Sequence, residues 1–432
     1  MKLNRKLLVV ALASALPWMS VYAQSPADLQ KEIELLKGQL KLLSDKIEAM
    51  SAQAEPAAIT QQVTRLEQKM DLAEDDAVKS GLKGLKIKGV IEASYTRNSL
   101  NSVNTFAAGD GNGATGMLEF TKEAEGGDGV NWTLRLTPGG SSPLHEATVS
   151  LPLGDGARVF GGLIPDFQGY EYFFAHQNPF VTHNALFDNA GPTSYAGIGM
   201  SYPLTKEIAL KWMIGNIDAG NDASPDTPKS AGLTYPSAGL AYRFDWTLSE
   251  YASLGLSGAH STSQRKFNVV AVDGGYIRGD LSLNGHLNVG NLTAGAYNGG
   301  DAKWWGVSGL AGFKMTPRLQ LLARADFINN RDNGGGTYVG NYLNNPLDVN
   351  ISDPLGGTGL GPELDAGGLV VDQNMGANLT RISLGTNFAV NPSTQWKTEL
   401  RMDRSSGYNF IDTDGTYKQN KTTIGTSVVV SF

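Results

Sequence analysis

The segment Thr422-Thr423-Ile424-Gly425-Thr426-Ser427-Val428-Val429-Val430-Ser431-Phe432 decides the fold. Counted back from Phe432, every second residue (Val430, Val428, Thr426, Ile424) is apolar or β-branched. The residues between them are mostly small or polar, with Val429 the exception. A two-residue period over about ten residues makes one strand long enough to cross a tilted bilayer wall, one face in lipid and the other away from it. A soluble sandwich strand would alternate in the same way, so the decision rests on what precedes it.

From Leu85 onward the same period recurs. Leu85, Ile87, Gly89, Ile91, Ala93 and Tyr95 share one face, with Lys86, Lys88, Glu92 and Ser94 on the other. The runs Val130 to Thr137, Ile208 to Ile214 (apart from Met213), Leu319 to Phe327 and Trp396 to Asp403 follow the rule. About sixteen strands are expected, near residues 85–96, 114–122, 130–137, 146–153, 157–164, 194–203, 207–215, 237–246, 252–260, 276–287, 292–298, 303–315, 318–328, 378–389, 395–403 and 422–432; the segment 266–273 falls in a loop. Connections alternate in length. The even-to-odd ones are short, for example Gly154 to Gly156, Thr316-Pro317 and Asn288 to Asn291. The odd-to-even ones include the long Arg97 to Gly113, Pro165 to Thr193, Asn216 to Pro236, Asn329 to Ala377 and Arg404 to Lys421. A sandwich gives no reason for that asymmetry, whereas a barrel with short periplasmic turns and long external loops requires it. The expected fold class is all-β, an antiparallel transmembrane barrel.

Composition agrees. Met1 to Ala23 reads as a secretory signal peptide: Lys2, Arg5 and Lys6, an apolar core Leu7 to Leu16, and small residues before the cleavage point. No stretch is long and apolar enough for a membrane-spanning helix. Without the three basic residues of that leader, 32 Lys and Arg face 42 Asp and Glu, a net charge of −10 that argues against a nucleic-acid partner. The absence of cysteine excludes disulfides and thiolate metal sites. With 53 glycines the chain is richer in glycine than usual, as a large all-β structure with many tight turns would be.

Between leader and barrel the period changes. Leu29, Ile33, Leu36, Leu40, Leu43, Ile47 and Met50 form a heptad seam, interrupted at Pro56 and resumed through Ile59, Val63, Leu66, Met70, Ala73 and Ala77. So narrow an apolar stripe has too little to bury alone, and a short self-associating coiled coil over residues 24–80 is expected; a two-helix hairpin folded about Pro56 is the alternative. The barrel is expected over residues 84–432.

A lipid-facing arginine at the bilayer midplane costs about 2–4 kcal/mol, so a barrel confines mid-strand charge to one parity. Arg135, Lys211, Arg243, Arg324, Arg381 and Arg401 all fall opposite the apolar face of their strands, as do Glu119, Glu146, Asp245, Asp326, Glu399 and Asp403. Trp132, Trp212, Tyr242, Phe244, Trp246, Trp305, Phe313, Phe327, Phe388 and Trp396 collect on the apolar parity, where interfacial girdles would form. The lumen is expected to be charged and wet, with Arg243 pairing to Asp245 and Arg324 to Asp326. The connection Pro165 to Thr193 carries Phe167, Tyr170, Tyr172, Phe173, Phe174, Phe180 and Phe187 among few charges. So apolar a loop should fold inward and narrow the channel, or else pack against a neighbouring subunit. In the first case Asp166, Glu171, Asp188, His176 and His183 face the basic side chains across the pore, a transverse field that orients solutes.

The run Phe160 to Phe167, then Gly169-Tyr170-Glu171, Asn178-Pro179-Phe180, Thr193 to Tyr202 and Ile214-Gly215-Asn216 resembles the OmpL-like β-barrel porins of proteobacteria. Gly215-Asn216 stands where those chains carry an Asn-Gly-like end, a departure. The final Phe432 resembles the closing residue of outer-membrane barrels. A coiled coil ahead of a barrel is similar to phosphate- and carbohydrate-type porins, whose members are trimers. The resemblance implies an outer-membrane porin of a Gram-negative bacterium, its N-terminal segment in the periplasm. It would pass small hydrophilic solutes or ions passively, without catalysis or cofactor. The expected partners are outer-membrane lipid, lipopolysaccharide and further copies of itself, a trimer being favoured. A sheath barrel that holds a partner without conducting is the alternative. An outer-membrane hydrolase is disfavoured, because no Gly-x-Ser-x-Gly elbow is present and the five histidines sit mostly in expected loops. Asn216 to Asp226 and Asp348 to Asp353 lack full calcium-loop spacing, and no metal site is expected.

Overall fold

A computed structural model describes residues 84–100, 104–108, 116–124, 129–137, 143–217, 238–262, 266–338 and 357–432. The expected leader and coiled coil lie outside the described residues, as do the two Asp/Asn-rich loops beyond Ile217 and before Gly357.

Alternation yields long antiparallel strands. They are β1 (Leu85–Asn98), β2 in two pieces (Asn104–Ala108 and Gly116–Lys122), β3 (Asn131–Leu136), β4 (Leu144–Gly154) and β5 (Ala157–Pro165). Next come β6 (Ser194–Pro203), β7 (Ile208–Asn216), β8 (Ala238–Thr247), β9 (Ala252–Ser261), β10 (Phe267–Arg278) and β11 (Leu281–Leu292). The last five are β12 (Ala302–Thr316), β13 (Leu319–Asn329), β14 (Leu379–Asn391), β15 (Thr394–Ser405) and β16 (Asn420–Ser431). Both pieces of β2 pair with β1, so the sheet has sixteen staves. Each pairs with its sequence neighbour, and β16 closes on β1 in the register Val90↔Ser431 to Asn98↔Thr423. Among the described residues closure leaves this sheet without an edge, which a bilayer demands because lipid cannot satisfy backbone N–H and C=O groups.

Outward side chains are exposed and inward ones buried. On β12 the inward Trp304, Ser308 and Leu310 are buried, and the outward Trp305, Val307 and Phe313 are exposed. On β16 the outward Ile424, Val428 and Val430 end at Phe432, 72% exposed. Val429, the exception in the sequence, is buried beside Val90, Met117 and Phe174. Its apolar side chain serves the interior rather than the lipid.

The Phe432 ring lies over Gly89, whose missing Cβ leaves room for it, while its backbone exchanges hydrogen bonds of 2.8 and 2.9 Å with that glycine. The last residue is thus seated on the first strand.

Two expectations are corrected. Residues 267–278 form β10, so the segment 266–273 is a strand. The chain then turns at Gly279-Asp280, with Gly279 at φ 59°, and β11 spans Leu281–Leu292. The expected strands 276–287 and 292–298 therefore straddle a turn and a loop, and Asn288 to Asn291 is no turn. The connection placed at Arg97 to Gly113 contains the first piece of β2.

Candidate functional site

The connection between β5 and β6, residues 166–193, contributes a short helix α1 (Ala185–Asn189) capped by Asn184. Apart from Arg243 on β8, the side chains named here that bond the connection stand on the buried parity of β11 to β15, the opposite arc of the ring. Asn288 donates to Ala190 O at 3.3 Å, Ser308 bonds Tyr170 OH at 2.6 Å and Lys397 Nζ donates to Asn178 O at 2.6 Å. Asp326 accepts from Ala185 N at 2.9 Å, and Glu399 accepts from Thr182 N and Oγ1 at 2.7 and 2.9 Å.

Arg324 is the centre of this contact. Its guanidinium, wholly buried, donates to Glu171 at 2.8 Å and to the carbonyls of Thr182 and His183, both at 2.9 Å. Asp326 and Glu399 complete the shell at 3.6 and 3.3 Å, and the Phe180 ring lies 4.7 Å below. Beside it Arg381 bridges Asp188 at 2.7 Å, Asp403 at 2.9 Å and His183 O at 2.9 Å. Among the described residues Arg401 bonds only Asp403, at 3.0 Å. So many charges in one dry region need this near-complete pairing, because an unpaired buried charge costs several kcal/mol, about 3–5 when one partner of a pair is removed.

The aromatic side chains of the connection are covered by the chain's own wall. Phe174 packs with Val90, Met117 and Val429, Phe180 with Leu310 and Leu322, and Phe167 with Tyr195. Tyr172 is the exception at 61% exposed.

The remaining three basic residues occupy the other arc. Arg135 pairs with Glu119 and with Glu146, the latter at 2.7 Å; Arg243 pairs with Asp273 at 2.7 Å and Asp245 at 2.6 Å, and donates to Phe167 O at 2.7 Å. Lys211 sits 4.1 Å from the Phe167 ring. Two adjoining cavities of about 450 and 310 Å³ lie here, both lined by Arg135, Asp166, Tyr172, Gln177 and Lys211. Burial pushes the Asp166 carboxyl up to about 8, against the pull of the Gln168 N–H and of Arg243, and burial drives His176 down to about 4.

The basic side chains named from parity therefore divide. Arg324, Arg381 and Arg401 belong to the arc that holds the connection, and Arg135, Lys211 and Arg243 border open space. Glu171 and Asp188 do not face arginines across a gap, as expected from the sequence; they contact Arg324 and Arg381 directly. Of the three, Asp166 lines both cavities, Glu171 only the smaller one and Asp188 neither. Sequence reasoning missed Lys397 and Asp273. Lys397 shares the parity of Glu399 and Arg401, which could have revealed it. Asp273 was hidden by the loop assignment of its segment.

Comparison with known proteins agrees with this architecture. No curated protein sequence matches the chain. The anion-selective porin of Comamonas acidovorans superposes with a TM-score of 0.55 at 11% identity, covering 81% of this chain and 99% of that one. In-vitro folded OmpT of Vibrio cholerae gives 0.51 at 9% identity, covering 81% and 97%. OprB of Pseudomonas putida, at high pH, gives 0.50 at 13% identity, covering 83% and 96%. At such identities the likeness concerns the fold. The family model described as "Putative beta-barrel porin-2, OmpL-like" matches residues 85–432, the whole barrel. By that match the chain belongs to the OmpL-like β-barrel porin family, and its fold is the barrel of outer-membrane porins.

Proposed function

We propose that the protein is a non-enzymatic diffusion pore of a Gram-negative outer membrane. In this reading the connection 166–193 is an inward-folded third external loop that narrows a water-filled lumen, and small hydrophilic solutes or ions pass beside it. The supporting observation is the division of the wall into two arcs. Arg324, Arg381 and Lys397 bond the loop to one side. Cavities of about 450 and 310 Å³ bordered by Arg135, Lys211, Arg243 and Asp166 remain on the other. These four residues are the pore lining, while Arg324 and Arg381, through Glu171 and Asp188 of the loop, set its width, and Arg401 stands behind them against Asp403. Opposed charges at such a narrowing bias the ions that pass.

The same reading makes residues 1–23 the leader and 24–80 a periplasmic coiled coil. Outer-membrane lipid and lipopolysaccharide surround the barrel, and a homotrimer is the assembled form. Planar-bilayer recording across a salt gradient tests the proposal. A stable open-channel current supports it, and the reversal potential gives the ion preference. Folded protein that never conducts would refute it in favour of the sheath barrel.

A further inference from the structure

Resting on the pore reading, we propose that Tyr172 is a stacking platform at the narrowing and that the favoured solute is a neutral, hydroxyl-bearing ring of the sugar class. Phe167, Phe174 and Phe180 of the same connection are 0–4% exposed, yet Tyr172 leaves 61% of its surface open. An aromatic ring gains by burial, so a loop free to choose would turn it in. The backbone forbids that. Asn178 accepts from Tyr172 N at 2.9 Å and donates to Tyr172 O at 2.7 Å, and His183 Nε2 lies 2.9 Å from the same carbonyl. The ring is held out over the junction of the two cavities, both of which it lines.

The surroundings select the solute. The larger cavity is also lined by Thr133, Thr148, Ser150, Gln177 and Ser201. Hydroxyl and amide groups of this kind both donate and accept, which suits a solute whose rim does the same. Arg135 is already matched by Glu119 and Glu146, and the Lys211 ammonium lies 4.1 Å from the Phe167 ring with the carboxyl groups of Asp245, Asp166 and Glu146 around it, so the cations of this wall are balanced locally. An aromatic face beside a wall of hydroxyl and amide groups with locally balanced charges fits a pyranose, with its C–H face on the ring and its hydroxyls on the wall. A linear polyol offers the hydroxyls without the face, and an aromatic acid the face without the rim.

The test is open-channel current through the full-length protein in planar bilayers, titrated separately with maltose, sorbitol and benzoate. Maltose should reduce the current saturably, and sorbitol or benzoate only in proportion to bulk conductivity. Tyr172→Ala should raise the half-blocking maltose concentration about fivefold to tenfold, the scale of one lost aromatic contact, and Tyr172→Phe less than about twofold. Resistance of each variant to heat and sodium dodecyl sulfate confirms that the barrel has formed. Unsaturable maltose, saturable benzoate, or a Tyr172→Ala titration identical to wild type overturns the proposal while leaving the pore standing. Absence of any current overturns the pore reading and this one with it.

Discussion

Removing the Arg324 guanidinium should release the loop without dismantling the barrel. Arg324 makes three hydrogen bonds to the connection, to Glu171, Thr182 O and His183 O at 2.8, 2.9 and 2.9 Å, and it neutralises Glu399 and Asp326 behind them. In Arg324→Ala those carboxylates lose their central cation. Breaking a buried pair in this way costs about 3–5 kcal/mol, and because each 1.4 kcal/mol is tenfold, the docked-to-undocked ratio of the loop falls by about two to three and a half orders of magnitude. The strand ladders do not involve this side chain, so the barrel should still assemble. Arg401→Ala is the control, since among the described residues Arg401 bonds only Asp403, and Asp403 keeps Arg381 at 2.9 Å and Lys421 at 3.8 Å. Single-channel recording with polyethylene glycols of graded size should give Arg324→Ala a larger conductance, added current noise and a higher exclusion limit. Arg401→Ala should stay near wild type. A folded Arg324→Ala channel with wild-type conductance, noise and exclusion limit would mean that Arg324 does not hold the loop, as would an equal gain in Arg401→Ala.

Leu210, opposite Phe244 on the outward parity, and Lys211, opposite Arg243 on the inward one, make a register test. Leu210→Arg should cost up to about 2–4 kcal/mol of folding, depending on depth, and sharply lower the heat-resistant fraction on gels, whereas Lys211→Leu should assemble normally. Gly89→Val would drive a branched side chain into the Phe432 ring, so the heat-resistant form should appear more slowly than in wild type, and Gly89→Ala should be delayed less. Asp166, raised to about 8 by burial, is protonated and neutral below that pH and negative above it. Reversal potentials should therefore move toward cation preference as pH rises from 7 to 9, and Asp166→Asn should abolish the movement.

Period-two alternation made the barrel, its parity and its stave number legible, because one physical boundary governs every strand. It failed at Phe267 to Asp273 for an identifiable reason. There the inward Phe267, Val269 and Ala271 are buried in the interior core, so both faces are apolar and the alternation vanishes. The error then shifted β11 past the Gly279-Asp280 turn. Of the site, parity could say which charges leave the lipid but not how far they reach. Whether Glu171 stands across a gap from Arg324 or against it depends on the path of a loop 153 residues away in sequence. The exposure of Tyr172 was illegible for the same reason, being imposed by hydrogen bonds from Asn178 and His183.

One parity of each strand faces lipid and the other the barrel interior, which is open beside the cavities on β4. Since the chain has no cysteine, single cysteines can be placed without background at Ala147, Thr148, Val149, Ser150 and Leu151 on β4. A charged, membrane-impermeant maleimide applied to the protein in liposomes should label positions 148 and 150, which line the larger cavity, and spare 147, 149 and 151. Uniform labelling, or labelling of the odd positions alone, would contradict that division of the faces.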